Sequence, residues 1–311
     1  MNTAQLGTTG LEITRIGFGA WAIGGGDWEF GWGAQEDEES IAAIHRALEQ
    51  GVNWIDTAAA YGVGHSEEVV GRALEGVADR PHVFTKCSLL EGPDRTVVHS
   101  LERDSVMREA EASLARLGVD AIDLYQIHWP DPDSDIEEGW AALAELKEQG
   151  MVRHIGVSNF DVEQLRRVQG IAPVETLQPP YSLIEREAEK ELLPFAEREG
   201  IGVIVYSPMG SGLLSGRMTR ERIENMPDND WRKSDASFQE PALSRHLELV
   251  ERLRAVAEEH DTTPGAVAVA WTLQNPAVDG AIVGFRRPDQ VDAILAGAEL
   301  ADLELELELE A

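Results

Sequence analysis

Four side chains of complementary chemistry stand at or just beyond the ends of short apolar runs: the carboxylate of Asp56, the phenol of Tyr61, the ammonium of Lys86 and the imidazole of His128. Together such groups can hold, donate and stabilise protons around a reacting atom. Each also has an ordinary reading: Asp56 as a helix cap, Tyr61 as a rim aromatic, Lys86 as an exposed strand end, His128 as a satisfied interior histidine. What gives the set weight is convergence. In a parallel barrel every strand ends on the same face, so residues far apart in sequence meet at one mouth, where barrel enzymes place their chemistry.

The elements that would position them are short apolar runs alternating with longer amphipathic ones. Strands are predicted at Ile16 to Phe18, Trp54 to Asp56, His82 to Thr85, Ile122 to Ile127, Ile155 to Val157, Thr176 to Gln178, Val203 to Tyr206 and Ala281 to Val283. Helical periods fall at Glu39 to Glu49, Arg108 to Leu117, Ile136 to Gln149, Val162 to Val168, Ala188 to Glu199 and Pro288 to Leu295. Gly51, Gly118, Gly150 and Gly200 follow helical runs and suit the left-handed residue that ends a helix. An N-terminal segment turning at Thr9-Gly10 reads as a hairpin, and the polar stretch from Gly216 to Leu243 as a long functional loop. Eight such units predict an α/β fold, a single parallel (β/α)₈ TIM barrel domain over 1–311, with a doubly wound open sheet as the competitor.

Composition bounds the partners. With 57 Asp and Glu against 26 Lys and Arg, the net charge of -31 makes nucleic acid and anionic membranes poor partners. The charge reads either as a solvated surface or, the reading preferred here, as adaptation to high salt. No apolar stretch approaches the roughly 20 residues of a spanning helix, and a cytoplasmic location is expected. Cys87 is the single cysteine, which excludes an intrachain disulfide and a thiolate zinc site. Alternation turns it away from Lys86, as an inert buried thiol. No metal is expected, and the oligomeric expectation is a monomer or weak homo-oligomer.

Two motifs mislead. Gly17-x-Gly19-x-x-Ala22 follows a strand, with Asp37 further on, but Ile23-Gly24-Gly25-Gly26-Asp27 resists the helix that a dinucleotide fingerprint needs. Asp37 reads instead as an N-cap. Asp131-x-Asp133-x-Asp135 begins like a calcium loop, yet Ile136 and Ala142 stand where Gly and Glu are required, and the run reads as a loop with an N-cap.

Asp56-Thr57-Ala58-Ala59-Ala60-Tyr61-Gly62 followed by Ser66-Glu67, with Lys86 and His128 beyond, resembles the aldo-keto reductase family, in its general-stress and auxiliary potassium-channel-subunit branch. Gly156 to Phe160, Gln178 to Ser182, Tyr206 to Pro208, Gly210 to Gly216 and Val283 to Arg287 match further blocks in order. The resemblance implies carbonyl reduction by hydride transfer from NADPH. Tyr61 would be the proton donor, and Lys86, held by Asp56, would lower its pKa from about 10. His128 would orient the substrate oxygen.

For NADPH/NADP+ the family pattern implies Ser158, Asn159 and Gln178 at the carboxamide and Tyr206 stacked on the ring. Gly19, Ala20, Trp21 and Asp56 would line the nicotinamide end. Ser207, Pro208, Gly210, Gly212, Leu213 and Arg217 would hold the pyrophosphate, and Gly284, Arg286 and Gln290 the adenosine end. Arg286 and Arg287 suit a 2′-phosphate, although Ile294 stands where relatives often carry asparagine. Trp21, Tyr61, His128, Trp129 and Trp231 would shape an apolar carbonyl pocket, with Trp28 and Trp32 assigned to loop packing. The rival function is a coenzyme-sensing regulatory subunit with slow turnover. The Leu-Glu alternation from Leu303 to Glu310 is expected to be irregular, the competing reading being a segment folded over the substrate mouth.

Overall fold

The computed structural model describes residues 1–300 apart from positions 27, 228, 229, 298 and 299. The Leu-Glu tail therefore lies outside the described residues.

The described residues form twelve strands: β1 Thr3–Gln5, β2 Glu12–Thr14, β3 Ile16–Gly19, β4 Trp54–Asp56, β5 His82–Cys87, β6 Leu89–Glu91, β7 Val97–His99, β8 Ile122–Ile127, β9 Val152–Ser158, β10 Thr176–Gln178, β11 Gly202–Val205 and β12 Gly280–Gly284. Eight of them close into a parallel barrel in the order β3, β4, β5, β8, β9, β10, β11, β12. These are the eight predicted runs, with β9 starting earlier, at Val152, and β11 stopping at Val205, one residue before Tyr206. The open sheet is thereby excluded. The predicted hairpin is β1 with β2, paired from Thr3 with Thr14 to Gln5 with Glu12.

Around the barrel run α1 Asp37–Glu49, α2 His65–Ala73, α3 Arg103–Leu117, α4 Ile136–Glu148, α5 Val162–Gln169, α6 Leu192–Glu199, α7 Arg220–Glu224, α8 Ala242–Glu259, α9 Pro264–Leu273 and α10 Pro288–Leu295. The apolar faces of α1 to α6 and α10 pack on the outward side chains of the strands in one large core, while α8 and part of α9 form a second cluster and α7 a smaller third. Gly118 and Gly200 end α3 and α6 at φ 61° and 69°, where a side chain would be strained.

Three expectations are corrected. The segment from Gly216 to Leu243 is not one loop: α7 and two single helical turns, Trp231–Lys233 and Ala236–Phe238, are each capped, by Thr219, Asp230 and Asp235. Three of its polar residues are these caps. Asp37 is the first residue of α1 and makes no cap; its carboxylate accepts from Arg72 at 2.6 Å and contacts His65 at 2.8 Å. In the acidic run, Asp133 is bound by Arg167, while Asp135 stands at the N-cap position of α4 without a side-chain cap bond. Gly17 also finds its reason in packing, since a Cβ there would meet the Trp54 ring at 2.2 Å.

Candidate active site

The barrel strands carry Asp56, Lys86 and His128 to one mouth, as the sequence predicts. Lys86 Nζ, 1% exposed, donates to Asp56 Oδ1 at 2.6 Å, to the Thr57 carbonyl at 2.9 Å and to Tyr61 Oη at 3.2 Å. Asp56 Oδ2 accepts from Gln178 Nε2 at 2.9 Å. A second buried acid stands behind the lysine: Glu67 accepts from Thr85 and from Arg116 Nε at 2.6 Å. This gives the ammonium compensation, without which burial would be prohibitive. Burial pulls Lys86 below its ordinary value while Asp56 opposes the change; the paired ion remains the natural state of this contact.

The Tyr61 ring stacks on Trp21 at 5.6 Å and 18°, and meets the His128 ring edge-on at 5.6 Å. Burial first, and the Asp56 charge second, push the phenol well above 10. The phenol is thus held protonated at rest, with Lys86 placed where it would stabilise a tyrosinate. Burial, then the Lys86 and His99 charges, drive His128 well below its ordinary range, so its imidazole is neutral. His128 Nδ1 is buried without a partner among the described residues, as is Gln126 Nε2. The arrangement juxtaposes a protonated phenol, an ammonium behind it, and a neutral imidazole with spare hydrogen-bonding capacity.

Beside this set lies a polar chain. Tyr206 donates to Asn159 Oδ1 at 2.8 Å, Asn159 Nδ2 to the His128 carbonyl at 2.9 Å, and Ser158 Oγ to the Gln178 carbonyl at 2.8 Å. Gly19 pairs with Asp56, and the Ala20 amide donates to the Asp56 carbonyl at 2.8 Å, which sets Trp21 over the mouth. After Tyr206, Ser207, Gly210, Ser211, Gly212 and Gly216 all have positive φ, with Pro208 between them and Leu213 buried as the anchor. A Cβ on Gly212 or Gly284 would meet only ordinary van der Waals contacts, at 3.7 Å and 3.9 Å, so neither backbone is crowded and an anionic or flat group could approach it. On that observation the residues fit a nicotinamide dinucleotide.

At the far end the fit is less open than the sequence suggests. Arg286 donates to Gln35, to the Ala34 carbonyl and to the Trp32 carbonyl, and its amide donates to Gln290 Oε1 at 2.8 Å. Arg287 is paired with Asp289 at 3.0 Å, and Arg217 lies 3.9 Å from the same carboxylate. Ile294 is buried against Gly265, so position 294 offers no polar contact.

The aromatic wall is larger than predicted. Trp28, assigned to loop packing, is buried and lies 6.1 Å from both Trp21 and Tyr61. Trp231 stacks on Trp21 at 6.3 Å, and the buried Arg232, held by Asp230 at 2.6 Å, covers Trp32 at 4.3 Å. Trp129 remains 43% exposed, at the rim. Trp28 and Arg232 had no periodic signal; Gln126 did, two residues after Leu124 on a buried strand. Among the described residues there is no cluster of His, Cys, Asp or Glu able to hold a metal, and no helix is long and apolar enough to cross a membrane.

The Aldo/keto reductase family model matches residues 15–306. The chain is 40% identical over 297 residues to aldo-keto reductase YhdN of Bacillus subtilis (strain 168), covering 94% of this chain and 88% of that protein. It is 34% identical over 305 residues to an NADH-specific methylglyoxal reductase of Escherichia coli (strain K12), covering 94% and 91%. Among solved structures, a glycerol dehydrogenase from Gluconobacter oxydans superposes with a TM-score of 0.86 at 38% identity, covering 95% of this chain and 89% of that one.

Proposed function

Since this chain belongs to the aldo/keto reductase family of carbonyl-reducing oxidoreductases, we propose that it reduces an aldehyde or ketone to the alcohol with NADPH, Tyr61 donating the proton. The observation that carries this is the buried contact of Lys86 Nζ with Asp56, Thr57 and Tyr61, all within 3.2 Å. The coenzyme, when bound, supplies hydride to the carbonyl carbon. Ser158, Asn159, Gln178 and Tyr206 would hold its nicotinamide end, and the loop from Ser207 to Arg217 its phosphates.

The chain supplies the rest. Tyr61 keeps its proton until negative charge develops on the substrate oxygen. Lys86 then stabilises the tyrosinate as it forms, an interaction stronger in the transition state than before it. Asp56 and Gln178 fix Lys86, so little reorganisation is needed at the moment of transfer. His128, neutral, offers a hydrogen bond that orients the carbonyl oxygen, and the Trp21, Trp28 and Trp231 rings exclude water from it. The Arg286 and Arg287 pair supports the choice of NADPH; the NADH-specific relative makes that choice a matter for measurement.

The test is steady-state oxidation of NADPH and NADH by the wild type with a panel of activated aldehydes. The proposal expects turnover in the ordinary enzyme range, about 1 to 10³ per second. Turnover far below about one per minute across the panel, against that range, would instead favour a coenzyme-sensing subunit.

A further inference from the structure

Glu109 is a buried acid on α3, 7% exposed, for which the chemistry above has no use. We propose that it is a positioning residue which, through Ser88, fixes the β6–β7 hairpin that borders the substrate mouth. The inference deepens the reductase reading of that mouth and rests on it.

Ser88 is the node. It follows Lys86 and Cys87 at the end of β5, has no exposure, and sits at φ 82°, a conformation that residues other than glycine seldom keep without support. Each of its polar groups is engaged. Its amide donates to Glu109 Oε2 at 3.0 Å, its carbonyl accepts from the Ser100 amide at 3.1 Å, and its hydroxyl accepts from the Trp129 amide at 3.3 Å and donates to the Trp129 carbonyl at 3.2 Å. One residue thus ties together the outer helix, both feet of the hairpin and the residue after His128. The His128 amide also donates to the Cys87 carbonyl at 3.1 Å, so the ends bearing Lys86 and His128 are stitched on either side of this node.

The hairpin reaches the site. Leu89 packs with Trp28, Ala58, Ala60 and Tyr61, Val97 rests against the same cluster, and the Val97 amide donates to Glu29 Oε2 at 2.8 Å. An alternative role for Glu109 is to satisfy one amide and nothing more. Against that stands the chemistry of the choice. A buried carboxyl is a costly acceptor for one N–H where a serine or amide side chain would serve.

The groups facing Glu109 are few. Arg116 comes from its own helix, but is bound to Glu67 of α2; Cys87 of β5 and Tyr125 of β8, both buried, add no positive charge. Ser105 supplies a hydroxyl at 3.3 Å. With its one counter-charge shared, burial lifts the carboxyl to about 7. The acceptor for Ser88 therefore changes between a carboxylate and the weaker oxygen of a neutral acid near neutral pH.

Glu109→Gln keeps an acceptor of the same shape and removes the titration. The experiment follows KM and kcat of the NADPH-loaded enzyme for 4-nitrobenzaldehyde from about pH 5.5 to about pH 8.5, a range that spans the transition. In the wild type KM should rise about three- to fivefold as pH falls through this transition, the difference between a charged and a neutral acceptor, with kcat changing less. The variant should show a flat KM near the wild-type acid limb. The same step in both proteins would overturn the proposal, as would a variant whose kcat falls while KM is untouched. A readout independent of turnover is the Ser88 amide resonance of ¹⁵N-serine-labelled wild type, which should titrate with a midpoint at about 7. It needs no folded variant, and a Ser88 amide that does not titrate refutes the coupling. If the wild type reduces no aldehyde, the reductase reading fails, and the Ser88 amide still decides whether Glu109 governs the hairpin.

Discussion

Two rings of residues two positions apart, on or just beyond the barrel strands, differ in chemistry. Trp54, Phe84, Leu124, Ile204 and Ile282 form an apolar layer near the N-terminal end of the barrel, closed by Leu6 and Ile13 beside the β1–β2 hairpin. One step along, Asp56, Lys86, Gln126, Tyr206 and Gly284 occupy the mouth. The strand period of two places both sets inside the barrel, and depth alone separates them. Near the floor, burial of apolar area stabilises at about 25 cal/mol per Å². At the mouth burial destabilises each ion, and only pairing, as between Lys86 and Asp56, offsets this. A fold that holds a proton-transfer site needs both.

The sharpest way to break the comparison is to substitute one residue in each layer. Lys86→Met should lower kcat/KM by about 10² to 10⁴, the usual worth of assisted proton transfer, and should also cost stability, about 3 to 5 kcal/mol, because Asp56 is left buried without its counter-charge. Trp54→Ala should cost about 3 to 5 kcal/mol of stability, read by urea unfolding, with kcat/KM per folded molecule little changed. Loss of activity from the floor, or of stability alone from the mouth, would dissolve the distinction.

Glu109 gives the next largest effect, with a definite sign. Its folded value of about 7 against an ordinary 4.5 means that the unfolded chain releases this proton first. Its contribution is full below about pH 4.5 and lost as pH rises to about 7, roughly 3 kcal/mol in all. Urea unfolding at pH 5 and pH 8 should show the wild type losing stability relative to Glu109→Gln across that interval; a constant difference would refute the burial cost.

Arg286→Ala should weaken NADPH more than NADH by about 1.5 to 3 kcal/mol, the range for a charge-assisted contact to phosphate. An unchanged ratio of KM values would leave Arg286 as a brace for Gln35 and Trp32. The smallest effect concerns the net charge of -31. Sodium chloride should raise the melting temperature by a few degrees as the Debye length falls to about 3 Å at 1 M. A flat or falling curve up to about 2 M, where screening is complete, would count against adaptation to salt.

The barrel was legible because each strand is a short branched apolar run buried on both faces, and because glycines such as Gly118 end the helices. The set of Asp56, Tyr61, Lys86 and His128 was legible as strand-end polar residues, and its resemblance to one family gave each a role. Apart from the amphipathic α2 and α8, what escaped had no period. β6 and β7 are three residues each around Gly92 and Pro93. α9 is apolar on nearly every face, so it shows no amphipathic stripe. Trp28 stands in a glycine-rich segment, and Glu109 resembles any surface acid of an amphipathic helix until the fold buries it. The Tyr61 phenol shows the limit most clearly, because proximity to Lys86 can be inferred from sequence, whereas the extent of desolvation cannot.

The central claim is that Tyr61 donates the proton and does not hold the coenzyme. Tyr61→Phe removes one oxygen and keeps the ring that stacks on Trp21. NADPH affinity, titrated by the quenching of protein fluorescence, should stay within about twofold of wild type, since the lost hydroxyl contributes only to the transition state, while turnover of 4-nitrobenzaldehyde should fall by about 10² or more. Turnover within about tenfold of wild type, less than the least expected of a general acid, would contradict the account.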